Sequence, residues 1–212
     1  MGDGVRSLES SGYTTGGVSH YYTGILCLGS KMINPIILFA ISFTGFLIYA
    51  SFFEWTVHRY AMHRPVPLIH TQFFFKGHTF DHHRTYAGDE SYLVGDRPHN
   101  DLTLGWSAAV PTLLHTPVLI ALAVWLSVPV SAGMLGAFVF YGFFYEYLHY
   151  SMHVPKDRWF ESTGVFKWLN RHHLQHHRKH NSNLNVLLPF ADYIMQTRRT
   201  LSGVLLWSGK RQ

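Results

Sequence analysis

Apolar positions along this chain gather into long uncharged runs, separated by stretches that are polar, aromatic and basic. From Pro35 to Phe53 (PIILFAISFTGFLIYASFF) 19 residues carry no charge, close to the ~20 that a helix needs to cross the hydrocarbon core of a bilayer. This run predicts a first span at about 33–53. Between Asp101 and Glu146 lie 44 residues without Asp, Glu, Lys or Arg, enough for two crossings, and Val128-Pro129-Val130-Ser131-Ala132-Gly133 reads as the turn between them. The second and third spans are therefore expected at about 105–127 and 131–150. Lipid offers the backbone no hydrogen-bond partners, so a run this long must be helix.

The remaining segments have a different texture. Residues 1–20 are rich in Gly, Ser and Thr without an apolar period and read as a tail. Residues 21–31 are mildly apolar, broken by Gly24 and Gly29, and too short to span. Together 1–31 form an N-terminal tail and interfacial segment, and 32–212 a single membrane domain. Arg64 to Arg97, with Phe73-Phe74-Phe75, and the chain from Pro155 onward mix aromatic and basic residues and predict interfacial helices. Leu184 to Met195 is one such amphipathic piece. The expected fold is all-α: an integral-membrane bundle of about three transmembrane helices under a cytoplasmic cap of helices.

Composition agrees with that pattern. Hydrophobic residues make up 47 % and charged residues 14 %, against roughly 25 % charged in an average soluble protein, too few to cover a soluble surface. Of 17 Lys and Arg, only Arg6 and Lys31 precede the first span and none lies in the hairpin turn. The positive-inside rule then puts the other 15 in the cytoplasm and the N-terminus on the far side. The net charge of +5 is thus a matter of membrane orientation, and no basic stripe with interleaved aromatics points to nucleic acid. Cys27 is the only cysteine, which excludes an intrachain disulfide, a thiolate zinc site and a cysteine-held iron-sulfur cluster. A metal would have to be held by nitrogen and oxygen.

Nitrogen is abundant, with 16 histidines, eleven of them in four ordered clusters: His58-x4-His63, His78-x3-His82-His83, His149-x3-His153 and His172-His173-x2-His176-His177. Residues four apart share a helix face, so His78 with His82, His149 with His153, and His173 with His177 can reach one ion as pairs. The five-residue step from His58 to His63 turns roughly 140° around an α-helix. It suits two different ions, or a helix that ends between them. So many neutral imidazoles without a cation would leave nitrogens unsatisfied, and protonated ones would repel. Ten are too many for one ion, and two metals at about five ligands each is the economical solution. Imidazole suits iron, zinc, copper and nickel alike. His20, His70, His99 and His180 stand outside the clusters and are set aside. His115, inside the expected second span, either touches substrate or metal or sits at the interface. Glu54 and Glu146, each one turn before a cluster, are expected to stand behind the ligands, accepting imidazole N–H groups.

At these residues the sequence resembles the fatty acid hydroxylase and sterol desaturase superfamily of membrane di-iron enzymes. The matching stretches are EWTVHRYAMHR (54–64), GHTFDHHRTY (77–86), EYLHYSMH (146–153) and RHHLQHHRKHNSNLNVLLPFADYIMQT (171–197). The resemblance implies ligand roles for His58, His63, His78, His82, His83, His149, His153, His173, His176 and His177, and places Asp192 near the site. Two departures stand out. Three residues separate His78 from His82 where hydroxylases of this family usually have two, and His172 is an extra imidazole that could replace His173. The resemblance further implies two iron ions, with zinc able to substitute on purification, O2 as co-substrate, and a separate electron donor of cytochrome b5 or ferredoxin type.

The resulting expectation is an O2-dependent di-iron hydroxylase acting on a C–H bond of a membrane lipid or fatty acyl chain, in a bacterial inner membrane or the endoplasmic reticulum. Desaturation, or hydroxylation of a carotenoid or sterol, would use the same site. A non-catalytic metal-binding or transport protein is the rival of another class, and it would want ionisable ligands near the bilayer midplane. A zinc peptidase is a weaker rival still, for no His-Glu-x-x-His occurs.

Overall fold

The computed structural model describes residues 33–65, 72–94, 115, 117–122 and 125–200. The expected tail and interfacial segment (1–31), most of the expected span 105–127, and His20, His70 and His99 lie outside the described residues. Among the described residues there is no strand.

The first helix, α1, runs Pro35–Val57 and continues through one wide turn, His58–Met62, with π-helical winding. Its start is written in two residues: the Asn34 side chain accepts from Ile36 N–H at 2.8 Å, and Pro35 occupies the first turn, where a missing N–H costs nothing. The last long helix of the apolar region, α3, runs Val128–His153. Pro129 again falls in the first turn, so the residues expected to form the hairpin turn, 128–133, are helical instead, and the break lies at Leu126 and Ser127.

Gly133 marks not a turn but a crossing. A Cβ there would lie 2.1 Å from Ser42 Oγ and 2.5 Å from the Phe39 carbonyl, so α3 meets α1 backbone to backbone near both N-termini. Further along, Phe138 packs on Phe46 and the Tyr141 hydroxyl donates to Glu54 at 2.5 Å. The two helices therefore run parallel, and their histidines emerge at the same end. Both are long and apolar enough to cross a membrane. Their outer faces leave large apolar side chains bare, Ile36 at 75 %, Val128 at 81 % and Phe143 at 63 % exposure, as suits helices that face lipid rather than a soluble core. Parallel neighbours require the chain to come back between Val94 and Val128. On that return, residues 117–122 are helical, and His115 packs against Phe46, Phe53 and Phe138.

Three shorter helices close over the histidine end. The first, α2, spans Gln72–His82 in π-winding and finishes in an α-turn, His83–Thr85. The next, α4, spans Gly164–Arg178, started by Thr163, whose hydroxyl accepts from Phe166 N–H. It is strongly two-faced: Phe166, Leu169, His173, His176 and His177 point inward while Lys167, Arg171 and Arg178 stay outside. The last, α5, is only Phe190–Ile194. Leu184 to Met195 is thus not one amphipathic helix, because Leu184, Asn185 and Val186 are a buried turn that docks on α1. The core joins α1, α3, α4 and this turn through Ala50, Tyr141, Tyr145, Met152, Phe166, Leu169 and Val186.

The docking is polar and fully matched. Ser51, Glu54 and His58 form a row on one face of α1. The Ser51 hydroxyl donates to the Leu188 carbonyl at 2.7 Å, Glu54 accepts from Val186 N–H at 2.6 Å and from Asn185 Nδ2 at 3.1 Å, and His58 Nδ1 donates to the Leu184 carbonyl. Asp192 holds the same turn from behind, accepting from Leu184 N–H at 2.9 Å and Asn185 N–H at 2.8 Å.

Candidate metal centre

The ten histidines to which the resemblance assigns ligand roles converge into two groups of five. His58, His63, His78, His83 and His176 form one; His82, His149, His153, His173 and His177 form the other. Within each group, one ring nitrogen per residue lies within 4.8 Å of all the others. Every member is buried except His63, which is partly exposed.

Winding decides which histidines share a group. In α-wound α3 and α4 the four-residue pairs behave as expected: His149 and His153 are together, and so are His173 and His177. In the π-wound segments the rule becomes five. His63 N–H bonds to the His58 carbonyl at 3.2 Å, the rings stack 5.1 Å apart, and both imidazoles enter the first group. The π-turn, common at functional sites, carries the extra residue that an α-helix would have turned away. Likewise His78 shares a group with His83, not with His82, which corrects the four-residue pairing expected there. Neighbours on one helix then serve opposite groups: His82 and His83 on α2, His176 and His177 on α4.

The state of the ring nitrogens follows from their outer partners. A carbonyl can only accept, so an imidazole nitrogen that contacts one must carry the proton and leave its other nitrogen as a lone pair. His58 donates from Nδ1 to the Leu184 carbonyl, His176 to Ser182 at 2.9 Å, His153 to Tyr92 at 2.8 Å, and His177 to Tyr86. Thr79 spends its proton on the Met62 carbonyl at 2.6 Å, so its oxygen accepts from His63 Nδ1 at 3.3 Å. Five Nε2 atoms are thereby fixed as lone pairs aimed into the groups.

These lone pairs face one another. His63 Nε2 and His176 Nε2 lie 3.2 Å apart with no proton for either. In the second group the Nε2 atoms of His153 and His177 both point at His173 Nε2, at 3.2 and 3.0 Å, and one proton cannot serve both. Protonating the rings does not resolve this. Burial first, and then repulsion from neighbouring imidazoles, holds His78, His82, His83, His173, His176 and His177 well below the ordinary histidine range, and lowers His63 to about 3. Neutral nitrogens converging in a dry space fit a cation in each group. Adjacent donors on one ion with bonds of about 2.1 Å stand about 3 Å apart, and the Nε2 separations here run from 2.8 Å for His58 and His78 to 3.3 Å for His82 and His177.

The other expected site residues fall elsewhere. His172 is in neither group: its Nε2 meets Asp192 at 3.0 Å and its Nδ1 meets Asn183 Nδ2 at 3.1 Å. Asp192 also accepts from Thr197 at 2.6 Å. Burial pushes its carboxyl up, but hydrogen bonds from His172, Thr197, Asn185 and Leu184 outweigh this and hold it below the usual range. Glu54 accepts from Tyr141, Asn185 and Val186 rather than from an imidazole. It reaches the first group indirectly, by seating the turn whose Leu184 carbonyl orients His58. Glu146 lines a cavity between α1 and α3. His180, set aside as isolated, lies at the rim of the first group, its ring 4.2 Å from His83 and 5.5 Å from His63. It follows His176 by four residues, the spacing that identified the rest.

That cavity, about 370 Å³, is lined by Phe46, Ala50, Phe53, Val57, Phe138 and Val139, and reaches His58. A larger groove of about 620 Å³ lies on the outer face of α4, beside Trp159, Lys167 and Arg171. None of the ten histidines lines it, whereas the chamber between α1 and α3 touches the first group through His58. Comparison with known proteins places this arrangement: a family model described as Fatty acid hydroxylase matches residues 43–197. No curated protein and no solved structure matches the chain.

Proposed function

The chain belongs to the fatty acid hydroxylase family, and from that premise we propose that it is an O2-dependent lipid hydroxylase with one iron ion in each five-histidine cage. His58, His63, His78, His83 and His176 hold the first ion; His82, His149, His153, His173 and His177 hold the second. Iron in these cages supplies O2 activation and removal of hydrogen from an unactivated C–H bond, chemistry that no side chain of the protein can perform alone. Zinc can occupy the same nitrogens on purification.

The protein's own contribution is position and exclusion. The carbonyls of Leu184, Ser182, Tyr92 and Tyr86 fix the ring orientation and keep each Nε2 free of protons, an outer layer of hydrogen bonds that raises ligand basicity. The chamber lined by Phe46, Phe53 and Phe138 excludes water and receives an apolar molecule from the bilayer. Reducing electrons come from a separate donor protein. The cages and their basic surroundings face the cytoplasm, and the segment around His115 makes a third crossing.

One observation carries this reading: two sets of metal-competent imidazoles stand at the end of an apolar chamber between helices long enough to span a membrane. A transport site would instead place its ligands near the midplane, whereas these lie on the last turns of α1 and α3 and on the cap. The test is expression in a lipid-rich host and mass spectrometry of extracted lipids. Lipids that gain one oxygen atom, only with intact histidines, support hydroxylation; loss of two hydrogens means desaturation. No change in any lipid, with both cages loaded with iron and a reductant supplied, overturns the reading.

A further inference from the structure

The chamber wall is mostly apolar, with polar groups in two places. Glu54, His58, Tyr141, Tyr145 and Glu146 line it toward the cages, and Tyr49 and His115 line it farther from them. Tyr49 lies nine residues before His58 on α1, about 13 Å away at 1.5 Å per residue, and about 6 Å inside the uncharged run that ends at Phe53. Its hydroxyl is 2.9 Å from His115 Nε2. His115 is only 8 % exposed and is packed among aromatic rings, Phe53 at 4.5 Å and Phe138 at 5.7 Å between centroids. Polar groups at this depth are costly, and where they occur they mark substrate or ion paths.

The pair leaves a specific capacity open. If Tyr49 donates to His115, the phenolic oxygen can still accept; if His115 donates to Tyr49, the phenolic hydrogen can still be given away. A hydroxyl group, both donor and acceptor, completes either arrangement. A carboxylate or phosphate does not belong there, since no Lys or Arg lines the chamber and a charge within the apolar layer is expensive. We propose that Tyr49 and His115 form a recognition point for a hydroxyl on an otherwise apolar lipid, held about 13 Å from the first cage. The chamber then selects lipid alcohols over hydrocarbons of the same length, and the pair sets which carbon faces the metals. This rests on the reading of the chamber as the substrate site.

Equilibrium binding of radiolabelled hexadecanol and hexadecane to the purified, metal-loaded protein in detergent tests it. One extra hydrogen bond predicts that the alcohol binds about 3- to 10-fold more tightly. Tyr49→Phe should bring the two affinities together while leaving hexadecane binding and metal content unchanged. A pair that merely glues two helices would not move that ratio. Gly142 lines the chamber, and a Cβ added there meets no atom within 4 Å, so Gly142→Leu should fold and weaken both probes alike. Equal affinities in the wild type, or a preference that survives Tyr49→Phe, overturn the hydroxyl proposal and leave the chamber as substrate site. Undiminished binding of both probes to Gly142→Leu overturns the chamber as well.

Discussion

A carbonyl oxygen decides more about these cages than any charge does. His58, His153, His176 and His177 each give their Nδ1 proton to a backbone carbonyl, and His63 gives its own to Thr79, so the inward nitrogen of each carries a lone pair able to bind a cation. Removing one ligand should therefore empty one cage and spare the other. His153→Ala is expected to hold about half of the wild-type metal and to make no product, since the five-ligand first cage keeps its full set. Elemental analysis of the purified variant decides this, and wild-type content would refute the ligand assignment. A second expectation concerns pH. His63 is lowered to about 3, by burial and then by His180, while an unfolded histidine takes up its proton near 6.5. Between those values the unfolded chain binds more protons than the folded one, so stability is complete above about pH 6.5 and falls as pH drops toward about 3. His78, His82, His83, His173, His176 and His177 shift in the same direction. The metal-free protein should melt at a lower temperature at about pH 5.5 than at about pH 7.5; an unchanged or higher melting point at the acidic value would contradict it.

Elements explain where four-residue spacing works and where it misleads. Along α3 and α4 the winding is regular, and His149 with His153 and His173 with His177 meet as the sequence implies. At the end of α1 and along α2 the winding widens, so His58 joins His63 and His78 joins His83 across five residues. Nothing in HRYAM or QFFFKGH announces that change, because π-winding arises from how the segment seats against its neighbours. Glycine shows the same dependence on partners within α3. A methyl group on Gly133 would collide with Ser42 and with the Phe39 backbone, whereas one on Gly142 meets open space. Gly133→Ala should cost about 1–3 kcal/mol, and Gly142→Ala should stabilise by about 0.5–1 kcal/mol as the helix loses a flexible residue. Thermal melting of the two variants should shift in opposite directions. The same sign for both would show that α1 and α3 do not cross at Gly133.

Across the whole molecule, α1 and α3 run parallel, the proposed third crossing returns the chain between them, and the basic residues follow the first span in sequence. The N-terminus is therefore expected opposite the histidines. With the native Cys27 replaced, single cysteines at Ser10 and at Ser208 should label from opposite sides of sealed vesicles. Labelling of both from one side would overturn the proposed return crossing around His115 and the topology with it. The proposed crossing carries His115, the partner of Tyr49 in the proposed hydroxyl-binding pair, so topology and substrate choice depend on the same segment.

Much of this protein is written locally. Nineteen uncharged residues from Pro35 declare a span whatever surrounds them, because the cost of burying charge in lipid is paid residue by residue. Histidines that recur every few positions likewise announce a metal, since one helix face gathers them without outside help. Other features depended on the three-dimensional fold. Division into two cages needed α1, α2, α3 and α4 brought to one place. The roles of Glu54 and Asp192 needed the turn at Leu184 to Val186, more than a hundred residues from α1 in sequence, to dock where both carboxylates accept its N–H groups. His180 and the Tyr49–His115 pair acquire meaning only from what packs beside them. Periodicity reports which residues share a face of one helix; which face meets which neighbour is decided by packing between helices, and no local pattern encodes that.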